Sequence, residues 1–133
     1  MTKSLLFSLV CFFFSHTVIA LELPQILESY PALHKALAED KIKNAQTIAQ
    51  QLKIESLAQS KSDEEARKAF GVFSEGVVEA LRAKKEFQAQ WQLFYCPMVP
   101  KGTYGYWIQP KGETILNPYY GAKMLTCGVK RPW

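Results

Sequence analysis

Four sulfur-bearing side chains stand in two short segments near the C-terminus, Cys96-Pro97-Met98 and Met124-Leu125-Thr126-Cys127-Gly128. A spacing of three sets Met124 and Cys127 on one side of a helical turn, and a spacing of two across Pro97 can aim Cys96 and Met98 the same way in an extended chain. Thiolates and thioethers are soft donors that select Cu(I) or Ag(I). Zinc sites take four thiolate or imidazole ligands and calcium sites take oxygen. Cys96, Met98, Met124 and Cys127 are therefore the candidate metal ligands. Cys96 and Cys127 are equally an even pair of cysteines, suited to a disulfide in an oxidising compartment. Such a bond closes a loop of about thirty residues and contributes a few kcal/mol.

Catalytic chemistry has little to draw on. No serine stands in a recognisable arrangement with a histidine, no CxxC pair is present, and the glycines do not form a phosphate-cradling loop. His34 falls at helical spacing between Tyr30 and Leu37 and reads as a partly buried helix residue, not a ligand. The chain is not expected to be an enzyme.

The compartment is legible at the start of the chain. Lys3, an apolar run from Leu5 to Phe14, and Val18-Ile19-Ala20 form the three parts of a signal peptide, with cleavage expected near Ala20. The apolar run is shorter than the about 20 residues a membrane-spanning helix requires. Residues 1–20 are thus expected to be removed, and residues 21–133 to form one periplasmic or secreted domain with no integral membrane segment. Cys11 leaves with the signal. Loss of Lys3 lowers the net charge from +4 to +3, with the charges dispersed along the chain, which gives no basis for nucleic-acid binding.

The elements that must hold the sulfurs are mostly helical. Ile26, Leu27, Tyr30, Leu33 and Leu37 recur at helical spacing, with Pro31 as a kink or an early turn. Asp40 is placed to cap a second helix whose apolar face is Ile42, Ala45, Ile48, Ala49 and Leu52. Ser62 and Glu65 form a capping box ahead of a long amphipathic helix through Ala66, Phe70, Phe73, Val77 and Leu81. Gly71 and Gly76 weaken that helix unless a neighbour approaches closely there. Residues 86–95 fit a helix or a strand equally. From Cys96 onward, prolines and glycines imply turns with short extended pieces near Tyr104 to Gln109. The expected fold is mainly α: a small up-down bundle of three to four helices with an irregular, aromatic-rich C-terminal third, with room for a short hairpin, and the candidate site in residues 95–128.

The C-terminal motifs run in order as Tyr95-Cys96-Pro97-Met98, Gly105-Tyr106-Trp107 with Gln109, Asn117-Pro118-Tyr119-Tyr120-Gly121, and Met124-Leu125-Thr126-Cys127-Gly128. This series resembles a bacterial exported domain family of unknown function, found alone or fused to periplasmic adaptor proteins of copper and silver efflux systems. The likeness is dense from Tyr95 to Gly128 and loose over the helices. It implies a helical-bundle domain in heavy-metal handling, with an efflux adaptor or another envelope protein as partner and with the family's cysteine and methionine positions on Cys96, Met98, Met124 and Cys127. Beside them, Trp107, Asn117, Tyr120 and Gly121 are expected to form a supporting shell. Asn117 would hold a turn through its side chain, Gly121 would take a positive backbone angle, and the rings would keep water out. The functional expectation is soft-metal binding in tolerance or delivery, and its alternative is a disulfide-locked interaction module.

Overall fold

The computed structural model describes residues 21–133; the expected signal segment lies outside the described residues. Helix α1, Leu23–Ala38, carries Pro31 inside it and buries Leu27, Tyr30, Leu33 and Leu37. It leads into α2, Ile42–Gln51, and a single-turn α3, Glu55–Ala58. Helix α4, Asp63–Ala83, then runs across the molecule. Among the described residues no helix is long and apolar enough to cross a membrane.

Helices α1 and α2 end in the same way. Asp40 takes φ 58° and Lys53 φ 57°. Their amides bond back to Leu37 and Gln50, and the next amides, of Lys41 and Ile54, reach Ala36 and Ala49. This is the Schellman closure, made without the glycine that usually marks it. Asp40 is therefore the stop of α1 and not the cap of α2, whose N-cap is Lys41 with no side-chain bond. At α4 the expected box is half formed: Ser62 Oγ accepts the Glu65 amide, but the Glu65 carboxylate returns to the amide of Lys61.

The helical-bundle expectation is overturned in the C-terminal half. After a 3-10 turn at Lys85–Gln90, the chain forms an antiparallel three-stranded sheet of β1 Trp91–Tyr95, β2 Tyr106–Pro110 and β3 Val129–Arg131, in the order β2-β1-β3. The domain is a mixed α/β fold, and its C-terminal third is ordered around that sheet. Residues 86–95, open between helix and strand on sequence grounds, divide between the two. Leu93 pairs with Ile108 and Phe94 with Trp107, and all four are buried.

The free edge of β2 is closed by side chains from the helical layer. Tyr30 Oη accepts the Ile108 amide at 3.2 Å and shares a 2.7 Å bond with Ser74 Oγ, which donates to the Tyr106 carbonyl at 2.8 Å. Tyr119 donates its hydroxyl to that same carbonyl. An edge strand with unpaired backbone groups invites aggregation, and these hydroxyls occupy them. Burial pushes the phenols of Tyr30 and Tyr119 well above their ordinary range, so both remain neutral donors.

The two helix glycines differ. A Cβ on Gly71 would stand 3.1 Å from the Tyr104 carbonyl oxygen and 3.3 Å from the Tyr119 ring, which is the close approach expected of it. Gly76 faces open space, with nothing within 4 Å. Replacing Gly76 by alanine should raise stability by about 1 kcal/mol in urea unfolding, since only the backbone-entropy penalty is removed.

Candidate functional site

Cys96 follows the last residue of β1, and its amide donates to the Gly105 carbonyl at 2.9 Å. That bond prolongs the β1–β2 ladder and fixes the side chain inward, fully buried. Its sulfur meets Asn117, whose Nδ2 donates to Cys96 Sγ at 3.2 Å and to the Cys127 carbonyl oxygen at 2.7 Å. Because one nitrogen makes both bonds, Cys96 Sγ and the Cys127 carbonyl oxygen are at most 5.9 Å apart. Both cysteines are unbonded; Cys127 is half-buried.

Asn117 is the hub of this region. Its Oδ1 accepts the amides of Tyr119 at 2.7 Å and Tyr120 at 3.2 Å, its own amide donates to Leu125 at 2.6 Å, and its carbonyl accepts the Gly121 amide. The side chain thus makes the turn expected of it and also ties that turn to both cysteines. Met124 and Cys127 share one turn, the Cys127 amide donating to the Met124 carbonyl at 3.0 Å. Met98 stands apart from this buried cluster. Its side chain is 52% exposed, while its carbonyl is held by the Tyr120 hydroxyl at 2.5 Å. The Cys96 sulfur is therefore brought near the Cys127 backbone, Met124 shares a turn with Cys127, and Met98 is exposed.

The other expected supports are core residues that also shape the region. Trp107 stacks on Phe94 with ring centroids 5.3 Å apart and donates its indole N–H to Gln109 at 2.9 Å. The Gln109 amide is buried, and it also accepts from the Leu116 amide and donates to the Thr114 carbonyl. A Cβ at Gly128 would lie 2.6 Å from Trp107 Cη2, so the chain beside Cys127 passes directly over the indole. Gly121 has φ 57°, as expected.

Two contributors lie outside the set of site residues expected from the sequence. Arg67, on α4, donates from Nη1 to the carbonyls of Leu37 at 2.9 Å and Pro118 at 2.6 Å, and from Nη2 to Asp40 at 2.6 Å. The second Asp40 oxygen accepts the Ala122 amide at 3.1 Å. One guanidinium therefore fastens the Asn117 turn to the end of α1. Partners 27 to 51 residues away in sequence leave no local pattern.

The second contributor is His34, buried at 3% exposure, with Nε2 2.6 Å from the Leu116 carbonyl. A carbonyl only accepts, so Nε2 carries the proton. Burial holds this imidazole down at about 4, against an ordinary 6.5. A depressed imidazole pKa means the unfolded chain takes up the proton first. Stability from the neutral ring is complete above pH 6.5 and is lost as the pH falls toward 4, by about 3 kcal/mol. Urea unfolding should show that loss between pH 7 and 4 and a smaller loss in His34→Gln, which keeps a donor but cannot titrate.

Among the described residues there is no group of three or more histidine, cysteine or acidic side chains able to hold a metal ion. Cys96 and Cys127 would offer two thiolates and Met98 and Met124 two thioethers, a donor set matched to a monovalent soft cation. No family model, curated protein or solved structure matches the chain.

Proposed function

We propose that the protein is an exported binder of Cu(I) or Ag(I), acting in metal tolerance or in delivery to an efflux adaptor or another envelope protein. The observation that carries this reading is the Asn117 amide bridging Cys96 Sγ and the backbone of Cys127. It sets the buried Cys96 thiol beside the backbone of Cys127, and an N–H donated to sulfur is the outer contact that orients a metal-bound thiolate. Met124, in the same turn as Cys127, supplies a thioether, and Met98 supplies a second from the rim. The ordered likeness of the Tyr95 to Gly128 motifs to the copper- and silver-associated domain family points the same way.

The test is a Cu(I) competition titration against a chromogenic chelator on reduced protein, residues 21–133. Binding of about one equivalent is expected, abolished in Cys96→Ser and weakened about tenfold in Met124→Leu, which keeps volume and removes the sulfur. Absence of competition would contradict the reading. The alternative is a Cys96–Cys127 disulfide that locks an interaction module without metal, and the Asn117 bridge between the Cys96 sulfur and the Cys127 backbone is compatible with it. A thiol count of zero on protein isolated from the envelope, together with no Cu(I) binding after reduction, would establish that alternative instead.

A further inference from the structure

The four sulfur-bearing candidates differ sharply in their access to solvent. Cys96 is fully buried, Met124 and Cys127 are half-buried, and Met98 alone is exposed, at 52%. Two peptide steps separate Cys96 from Met98, so their Cα atoms lie at most about 7.6 Å apart. A buried soft donor and an exposed one therefore stand within a single short turn of chain.

That turn is held on both sides of Met98. The Cys96 amide donates to the Gly105 carbonyl, and Gly105 in turn admits the returning chain: a Cβ there would stand 2.7 Å from Val99 Cγ2 and 3.1 Å from the Cys96 carbonyl oxygen. The Met98 carbonyl accepts the Tyr120 hydroxyl at 2.5 Å, and the Tyr120 amide is held by Asn117 Oδ1 at 3.2 Å. This chain of bonds leads back to the same Asn117 whose Nδ2 donates to Cys96 Sγ. The backbone of Met98 is thus tied to the cysteine's own support, while its side chain is left unburied. A ligand that must change partners needs this combination, a fixed place and a free donor.

We infer that Met98 is the exchange ligand of the metal site, the thioether through which a monovalent soft ion is taken from, and handed to, a partner that presents its own thiol or thioether. The inference rests on the soft-metal reading of the same site and adds the route of the ion. A thioether carries no proton, so its bond to the ion forms and breaks without an acid–base step, whereas a thiol binds as thiolate and must first lose its proton. On uptake, a Met98–metal bond forms as one bond to the donor breaks. A Cys96–metal bond then replaces the last donor bond, and the Cys96 proton leaves to solvent. The ion stays monovalent throughout, and release runs the same steps in reverse.

An exchange ligand changes the rates of uptake and release by the same factor and leaves their ratio, the affinity, in place. The probe is Cu(I) on a chromogenic chelator, mixed by stopped flow with reduced residues 21–133 and read in both directions beside the equilibrium competition. Met98→Leu, at an exposed position, should slow uptake and release about tenfold each with affinity held within about threefold. Met98→Cys, which restores a soft donor, should recover most of the rate. Met124→Leu should do the reverse of Met98→Leu, with weaker affinity and an uptake rate near that of the native chain. Unchanged rates in Met98→Leu overturn the inference, and so does a loss of affinity as large as the loss of uptake rate, which would make Met98 an ordinary equilibrium ligand. The two readings fail distinguishably: no competition by the native chain overturns the metal reading and this inference with it, whereas one-equivalent binding with unchanged Met98→Leu rates overturns this inference alone.

Discussion

Replacing Asn117 by alanine should lower the free energy of unfolding by about 5 kcal/mol, among the largest losses available from one side chain in this domain. The side chain is fully buried and makes four hydrogen bonds, to Cys96 Sγ, the Cys127 carbonyl and the amides of Tyr119 and Tyr120. Alanine removes one partner from each bond and leaves backbone groups unsatisfied in a poorly hydrated interior, each costing about 1–3 kcal/mol. Urea unfolding of the reduced protein should give a lower midpoint with an unchanged slope. Because the same amide shelters Cys96, its thiol should react faster with a thiol reagent in the variant. A loss of about 1 kcal/mol or less would mean that the turn is held by its backbone bonds alone, and that Asn117 does not join the cysteines.

Gly121→Ala should cost about 4 kcal/mol, from two sources that act together. At φ 57° an L side chain is strained. A Cβ there would also fall 1.9 Å from Asp40 Oδ1 and 2.9 Å from Arg67 Nη2. Asp40 cannot swing aside freely, because one oxygen is bound to Arg67 and the other to the Ala122 amide. Relief of the overlap therefore breaks the ion pair and frees Arg67 from the carbonyls of Leu37 and Pro118. Thermal unfolding of Gly121→Ala beside Gly76→Ala separates this from a general glycine effect, since the first should destabilise and the second stabilise. If both variants moved in the same direction, the Arg67–Asp40 clasp would not be what Gly121 is shaped to admit.

The helices were legible because each has one wet and one dry face: Leu27, Tyr30, Leu33 and Leu37 on α1, and Phe70, Val77 and Leu81 on α4, are buried at the spacing a helix requires. Their ends were less legible. Asp40 and Lys53 take the left-handed conformation that glycine usually supplies, so neither stop is announced by residue type.

The sheet was legible only in part: β2 stands where a short extended piece near Tyr104 to Gln109 was expected, while residues 86–95 fitted a helix and a strand equally. Trp91, Leu93 and Phe94 are all buried, so β1 is covered on both faces and lacks the wet-dry alternation that marks a half-exposed strand. Strand β3 is three residues long and wholly exposed, and offers no apolar pattern at all. Within the site, the local roles of Asn117 and Gly121 could be read from residue type, because a turn is a local structure. The clasp of Arg67 and the bond from His34 to Leu116 join residues far apart in the chain, and no spacing rule reaches them.

The proposed function makes Cys96 and Cys127 ligands of one soft monovalent metal beside Asn117. X-ray absorption on the reduced protein loaded with one equivalent of Cu(I) tests it most directly. The expected shell is made only of sulfur, loses a scatterer in Cys127→Ser and keeps its character in His34→Gln. A shell containing nitrogen or oxygen in the native chain, or one unchanged when either cysteine is replaced, would contradict it.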